Sequence, residues 1–336
     1  MDRHAAAVTA EELQRIKIGS KQEMQAGISR LSDGDWRAAL GHFDRAIMLR
    51  ETTPWHEDSD CAWGLAAAWI NRSDAMRRLG DPLLMPEAIR SLDRCIEAMG
   101  RVRLAERPEF VERLILAWIN RATACGEIRD ATGALESFMQ VEAVFSAWGE
   151  DATPSRCFLL AMLHTNRALV RLDAGEPALA WQDARQGIEA LKALEPGDAL
   201  VSQAGIRARG ALCRTLAECL DMRHAPSPLD DWIAQATDAV EEALSIMKRS
   251  GLAEPAAADL VRYGARIYRL CQPQFLAAFV REWLATDSPL ATNQELATEM
   301  AGVLQLARVE AEARLLTAPH DDAVVARELR ILKALE

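Results

Sequence analysis

Six histidines, seven cysteines and several adjacent carboxylates are the side chains in this 336-residue chain equipped to bind a metal, attack an electrophile or move a proton. Their spacing supports none of these. His4, His42, His56, His164, His224 and His320 are isolated, so no metal-ligand constellation assembles from local spacing. Cys61, Cys95, Cys125, Cys157, Cys213, Cys219 and Cys271 are odd in number, evenly spread and free of any C-x-x-C pair. That excludes a zinc or redox spacing and a disulfide framework, and leaves small buried hydrophobes in a reducing compartment. Carboxylate pairs such as Glu11-Glu12 and Glu241-Glu242 read as solvated helix faces. Phosphate loops, dinucleotide fingerprints, H-E-x-x-H and nucleophile elbows are missing. The expectation is a non-enzymatic protein with no cofactor and no metal.

What does recur is a side-chain amide. Trp69-Ile70-Asn71-Arg72-Ser73-Asp74-Ala75 returns as Trp118-Ile119-Asn120-Arg121-Ala122-Thr123-Ala124, and more loosely as His164-Thr165-Asn166-Arg167-Ala168-Leu169-Val170. Each copy is followed by a break and a second amphipathic stretch: 87–98, 133–145 and 178–194. Upstream, Gly27, Gly34, Ala39, Phe43 and Ala46 keep the same offsets and put Gln25 in the Asn place. Positions 25, 71, 120 and 166 are therefore 46, 49 and 46 residues apart, the surplus of three arising where Pro82 to Pro86 lengthens one turn. Gly34, Gly80 and Gly175 stand where a helix ends and the chain can turn left-handed. Spacings of three and four put Ala39, Phe43 and Ala46 on one helix face, small enough for two helices to approach closely. The alanine-rich, aromatic-poor composition points the same way, to all-α structure.

These residues resemble the tetratricopeptide repeat, a helix-turn-helix unit of 34 residues. Trp69, Ser73, Leu79-Gly80, Ala88, Leu92 and Cys95 fill the family's pattern in the second repeat. Trp118, Ala122, Ala134, Phe138 and Val141 do so in the third, and Ala168, Gly175, Ala180, Ala184 and Gly187 in the fourth. The resemblance implies an all-α, right-handed α-solenoid of antiparallel helix pairs, A followed by B. Residues 1–22 form the N-terminal part of the first helix, 23–197 four repeats, 198–292 degenerate repeats and 293–336 capping helices. Within the degenerate part, 255–271 and 274–285 read as one helix pair, and 222–228 as a long loop. Three departures stand out. The period is some twelve residues longer than the family's, so each helix is expected to gain up to roughly six residues, about 9 Å. Arg129 replaces the turn glycine of the third repeat. The prolines Pro54, Pro108, Pro154 and Pro196 fall between repeats, near the start of each following helix.

In that family the A helices line a concave groove, which the sixth position of helix A commonly faces. Carried over, this implies a ladder of Gln25, Asn71, Asn120 and Asn166. An amide both donates and accepts, so such a ladder can clamp the backbone of an extended peptide. Neighbouring Lys21, Asp74, Arg77, Arg78, Thr123, Glu127 and Thr165 would supply specificity. The other reading is that the amides bond each other or adjacent backbone and hold the array together. Arg72, Arg121 and Arg167 follow the amides and are expected to form within-repeat ion pairs with helix-B acids such as Asp93, Glu136 or Asp183. Trp69 and Trp118 read as packing between repeats, His164 as a semi-buried residue in their slot, and Trp55, Trp148 and Trp283 as candidates for exposure.

The net charge of −11, with 39 basic against 50 acidic residues, argues against nucleic acid as a partner. No basic run suggests an anionic membrane surface, and no stretch of 18 uncharged apolar residues suggests membrane insertion. The N-terminus lacks a signal-peptide core, so a cytoplasmic scaffold or adaptor with a protein or peptide partner is expected. The long-repeat style is also loosely similar to bacterial kinesin-light-chain-like proteins, some of which associate with tubulin-like filaments. A filament-forming partner is what that likeness implies. The alternative is a peptide-sensing regulator, since peptide-pheromone receptors use such repeats too.

Overall fold

The computed structural model describes residues 9–100, 108–149, 153–194, 198–221, 229–250, 255–284, 290, 292–317 and 322–335. It forms two compact units, Met1–Leu159 and Leu160–Glu336. The first holds α1 (Ala10–Ser32), α2 (Trp36–Glu51), α3 (Ser59–Leu79), α4 (Met85–Gly100), α5 (Pro108–Glu127) and α6 (Ala131–Trp148), and the start of α7 (Pro154–Asp173). The second holds the rest of α7 with α8 (Pro177–Leu191), α9 (Ala199–Asp221), α10 (Leu229–Ser250), α11 (Pro255–Cys271), α12 (Pro273–Trp283), α13 (Gln294–Thr317) and α14 (Asp322–Ala334). No strand occurs among the described residues. In the first unit each helix packs on the next, and the A helices α1, α3 and α5 are also neighbours. The fold is thus all-α and built from antiparallel helix pairs. The 222–228 loop, Pro196, His4, His224 and His320 lie outside the described residues.

The turns explain why the chain folds back at a regular interval. After α1, the Gly34 N–H donates to Leu31 O (3.2 Å) and the Asp35 N–H to Arg30 O (2.9 Å), while Gly34 takes φ +77°. This is the closure in which a left-handed residue lets two amides cap the last helical carbonyls. It recurs after α7, where Gly175 (φ +79°) donates to Leu172 O and Glu176 to Arg171 O. It recurs again after α5, where Arg129 and Asp130 donate to Gly126 O and Cys125 O. There Arg129 itself adopts φ +61°, so turn geometry prevails over residue preference. Gly80 (φ +67°) starts the same way, but the inserted Pro82–Leu84 turn follows. Asp35 and Asp130 then each accept the backbone N–H three residues on, starting α2 and α6.

Small residues set the spacing between paired helices. A Cβ on Gly27 would stand 2.5 Å from Phe43 Cε1, so only glycine lets α1 lie on that ring. Phe43, Leu92 and Phe138 occupy equivalent B-helix positions, each four residues after a buried alanine (Ala39, Ala88 and Ala134), and are fully buried. The extra length of the repeat is not shared equally. In the first four pairs the A helices have 23, 21, 20 and 20 residues, the B helices 16, 16, 18 and 15. In the second unit Trp181 of α8 stacks on Trp232 of α10, centroids 4.1 Å apart. Trp283, expected near the surface, is fully buried. It ends α12 inside the second core, against Phe279. Trp55 and Trp148 are half-buried.

Candidate functional site

The Asn-Arg step divides labour between its two residues. Arg72 on α3 donates from Nε to Asp44 (2.6 Å) on α2, and from NH1 to Glu87 (2.9 Å) and Ser91 (2.7 Å) on α4. Arg121 on α5 repeats this one pair later. Its Nε reaches Asp93 (2.7 Å) on α4 and its NH1 reaches Ser137 (2.7 Å) on α6. Each acid lies 28 residues before its arginine and belongs to the preceding pair, so these bonds run between repeats as well as within one. Both guanidiniums also lie over the tryptophan three residues back, at 5.4 and 5.8 Å. In the second unit, Arg167 has Met139 at the −28 place, and the acid moves to the serine position. Asp183 accepts from Arg167 Nε (2.9 Å) and NH2 (2.7 Å) and from Arg171 NH1 (2.8 Å), with His164 Nδ1 at 3.2 Å.

That carboxylate is 1% exposed, and burial alone would raise its pKa. The hydrogen bonds from His164 and Arg167 and the charges of Arg167 and Arg171 outweigh burial and hold it below the usual range. His164, in the slot of Trp69 and Trp118, is half-buried in this cluster. The sequence reading places Asp183 correctly as the partner of Arg167, whereas Asp93, expected to pair with Arg72 within its own repeat, pairs with Arg121 of the next. It missed Asp44, Glu87, Ser91 and Ser137, and Glu136 makes no pair with Arg121. The −28 spacing, shared by Asp44 and Asp93, was the signal available.

The amides are placed differently. Asn71 and Asn120 are half-buried and Gln25 is exposed. No side-chain hydrogen bond joins any of the three to another described residue. They stand at equivalent places on the adjacent helices α1, α3 and α5. Asp74 and Arg78 follow Asn71 at three and seven residues, and Thr123 and Glu127 follow Asn120 at the same intervals, so each trio shares one helix face. Asp74 and Arg78 pair along α3 at 2.9 Å. Arg77 reaches across to α5 and grips Glu127 with two bonds, 3.1 and 2.5 Å. The first unit therefore carries a polar face of charge-balanced side chains around amides with open donors and acceptors. Lys21, one turn before Gln25, is exposed, and the Thr123 hydroxyl donates to Ile119 O.

Asn166 and Thr165 belong to the second unit. Asn166 is half-buried, whereas Thr165 is 5% exposed and packs its hydroxyl against Gly187 of α8. Thr165 is thus interior to the α7–α8 contact and not on an open face, a correction to its expected role. The reason is helical phase: it precedes the amide by one residue, about 100° round the helix. Among the described residues no group of three or more His, Cys, Asp or Glu is placed to hold a metal ion, and no helix is long and apolar enough to cross a membrane.

Helix pairs closed by left-handed turns, with an unpartnered amide at one place on α1, α3 and α5, define an α-helical repeat protein. No family model matches the chain, and no curated protein matches it. Among solved structures it is similar to the apo form of the quorum sensor NprR from B. thuringiensis, at 15% identity over 97% of this chain and 81% of that one, with a TM-score of 0.49. It is also similar to the TPR domain of P58(IPK), at 15% identity over 94% of this chain and 98% of that one, with a TM-score of 0.20. The fold assignment rests on the helix pairs themselves and not on these distant likenesses.

Proposed function

We propose that the chain is a non-enzymatic scaffold that binds a protein or peptide in extended conformation through its A-helix face. Gln25, Asn71 and Asn120 are the contacts in the first unit, and Asn166 contributes in the second. The observation that carries this reading is the division of labour within the Asn-Arg step. Arg72, Arg121 and Arg167 already tie helix to helix, so the amides beside Arg72 and Arg121 are not needed for cohesion. The polar atoms of Asn71 and Asn120 are not cut off from water, so their amides can exchange water for a ligand. A peptide backbone presents one donor and one acceptor per residue, matching what an amide offers. The flanking Asp74–Arg78 and Arg77–Glu127 pairs would then read side chains, exchanging an internal partner for one on the ligand.

A free peptide and a segment of a larger protein would meet the same amides, so a peptide-sensing role uses the same face. A filament-forming partner draws on the kinesin-light-chain likeness alone, and no feature of the face favours it. The free cysteines, six of them buried, fit a reducing compartment and support a cytoplasmic location. The test is affinity capture from native lysate with the parent chain and with Asn71→Ala/Asn120→Ala. Loss of a captured protein at unchanged Tm is the expected result. Thermal shift by a peptide pool without any captured protein would favour sensing over scaffolding. Equal capture by both chains would remove the amides from the binding site.

A further inference from the structure

Helix α13 is apolar on two opposite sides. One stripe, Leu296, Met300, Ala307 and Ala311, is buried in the second unit. The other runs through Gly302, Leu306, Val309, Ala313 and Leu316, all exposed, with the three large side chains 47%, 49% and 87% accessible. Its spacing is 4-3-4-3, the heptad rhythm that keeps one seam of a helix against a second helix. An apolar seam of this kind calls for a helical partner, and the sizes along it say which. In a two-fold antiparallel arrangement centred on Val309, Leu316 faces Gly302 of the second copy, Leu306 comes within one residue, about 1.5 Å of rise, of its Ala313, and Val309 faces itself. Both leucines thus meet a small residue while the two valines meet at the axis, and every contact is made twice, as in an isologous interface.

The flank of the seam agrees. Arg308 and Glu312 pair at 3.1 Å and are each about half exposed. The same two-fold brings Glu312 to within about 3 Å, along the helix axis, of the second copy's Arg308 at 1.5 Å of rise per residue. The two internal pairs then join into one alternating cluster of four charges. The parallel arrangement offers neither match: it stacks Leu316 on Leu316, Gly302 on Gly302, and sets Glu312 beside Glu312.

We propose that α13 is a self-association surface on which a second copy of this chain packs antiparallel about a two-fold axis at Val309. The seam is about 21 Å long, fourteen intervals of 1.5 Å, which is short for a permanent dimer and fits a micromolar monomer–dimer equilibrium. Sedimentation velocity of the full chain from about 1 to 200 µM tests it, since that range brackets micromolar dissociation. The expected result is concentration-dependent dimer, with Leu306→Glu raising the dimer dissociation constant at least tenfold while its Tm stays at the parent value. Under mild oxidation Val309→Cys should cross-link above the parent background. Leu316→Cys should not, because its two copies would lie about 21 Å apart along the axis. A chain monomeric throughout, a dimer indifferent to Leu306→Glu, or cross-linking of Leu316→Cys equal to that of Val309→Cys would each overturn the proposal.

Discussion

Replacing Asp183 by Asn removes one charge and almost no volume from the most buried ionic site described in the chain. The carboxylate is 1% exposed and the side chain of Arg167 9%, so neither can turn to water without opening the α7–α8 contact. Arg171 is 22% exposed and can rehydrate, so its pairing adds little. Breaking one partner out of a buried pair costs about 3–5 kcal/mol, because the remaining charge stays buried and uncompensated. The Asn carbonyl can still accept one Arg167 N–H, which places Asp183→Asn near the lower end, about 3 kcal/mol. At 2–4 °C per kcal/mol for a domain of this size, the second unit should melt roughly 6–12 °C earlier. The sign with pH follows from the depressed pKa. The contribution is fully present above the unfolded carboxylate value of about 3.9 and is lost as pH falls through the lower folded value. Urea unfolding followed at 222 nm, with m compared between the two chains, should give the full gap at pH 7 and a shrinking one below about pH 4. A gap under about 1 kcal/mol at pH 7, or one that persists unchanged at low pH, would refute the claim that this carboxylate neutralises a buried guanidinium.

Other consequences are simpler to read. Arg129→Gly should stabilise the first unit by roughly 0.5–1 kcal/mol, relief of the left-handed backbone exceeding glycine's entropy, measured as a raised urea midpoint; a fall would mean the turn prefers arginine. Gly27→Ala should destabilise by about 1–3 kcal/mol, since a Cβ there meets the fully buried Phe43 ring, and an unchanged melting curve would show that α1 can shift aside. Burial pushes the Cys95 and Cys213 thiols up to about 12, so a thiol reagent at pH 8 should label Cys271, the half-buried one, first. The six buried thiols should react only after denaturation, and rapid native labelling of Cys95 or Cys213 would contradict the buried core.

Much of the fold was readable because the repeat writes it several times. Gly34, Gly80 and Gly175 mark turns that need a left-handed residue, and Ala39-Phe43-Ala46 marks a face that needs small neighbours. The site was readable only in part. Spacing identified equivalent amides, since an offset of 46 to 49 residues survives in sequence. It could not foresee that Arg72 and Arg121 reach back to the preceding pair, because that depends on which helices become neighbours in space. Thr165 and Trp283 were misplaced for a related reason. Both look peripheral along the chain, and each is enclosed by an element arriving from elsewhere, α8 in one case and the second core in the other.

The most direct measurement of the central claim is the affinity of the captured protein or peptide for the parent chain and for Asn71→Ala/Asn120→Ala, with Tm recorded on the same samples. Each lost amide contact should cost about 0.5–1.5 kcal/mol, so the two together should weaken Kd by about one to two orders of magnitude at constant Tm. Unchanged affinity, or a loss that merely tracks a fall in Tm, would show that the amides hold the repeats together and that the partner binds elsewhere.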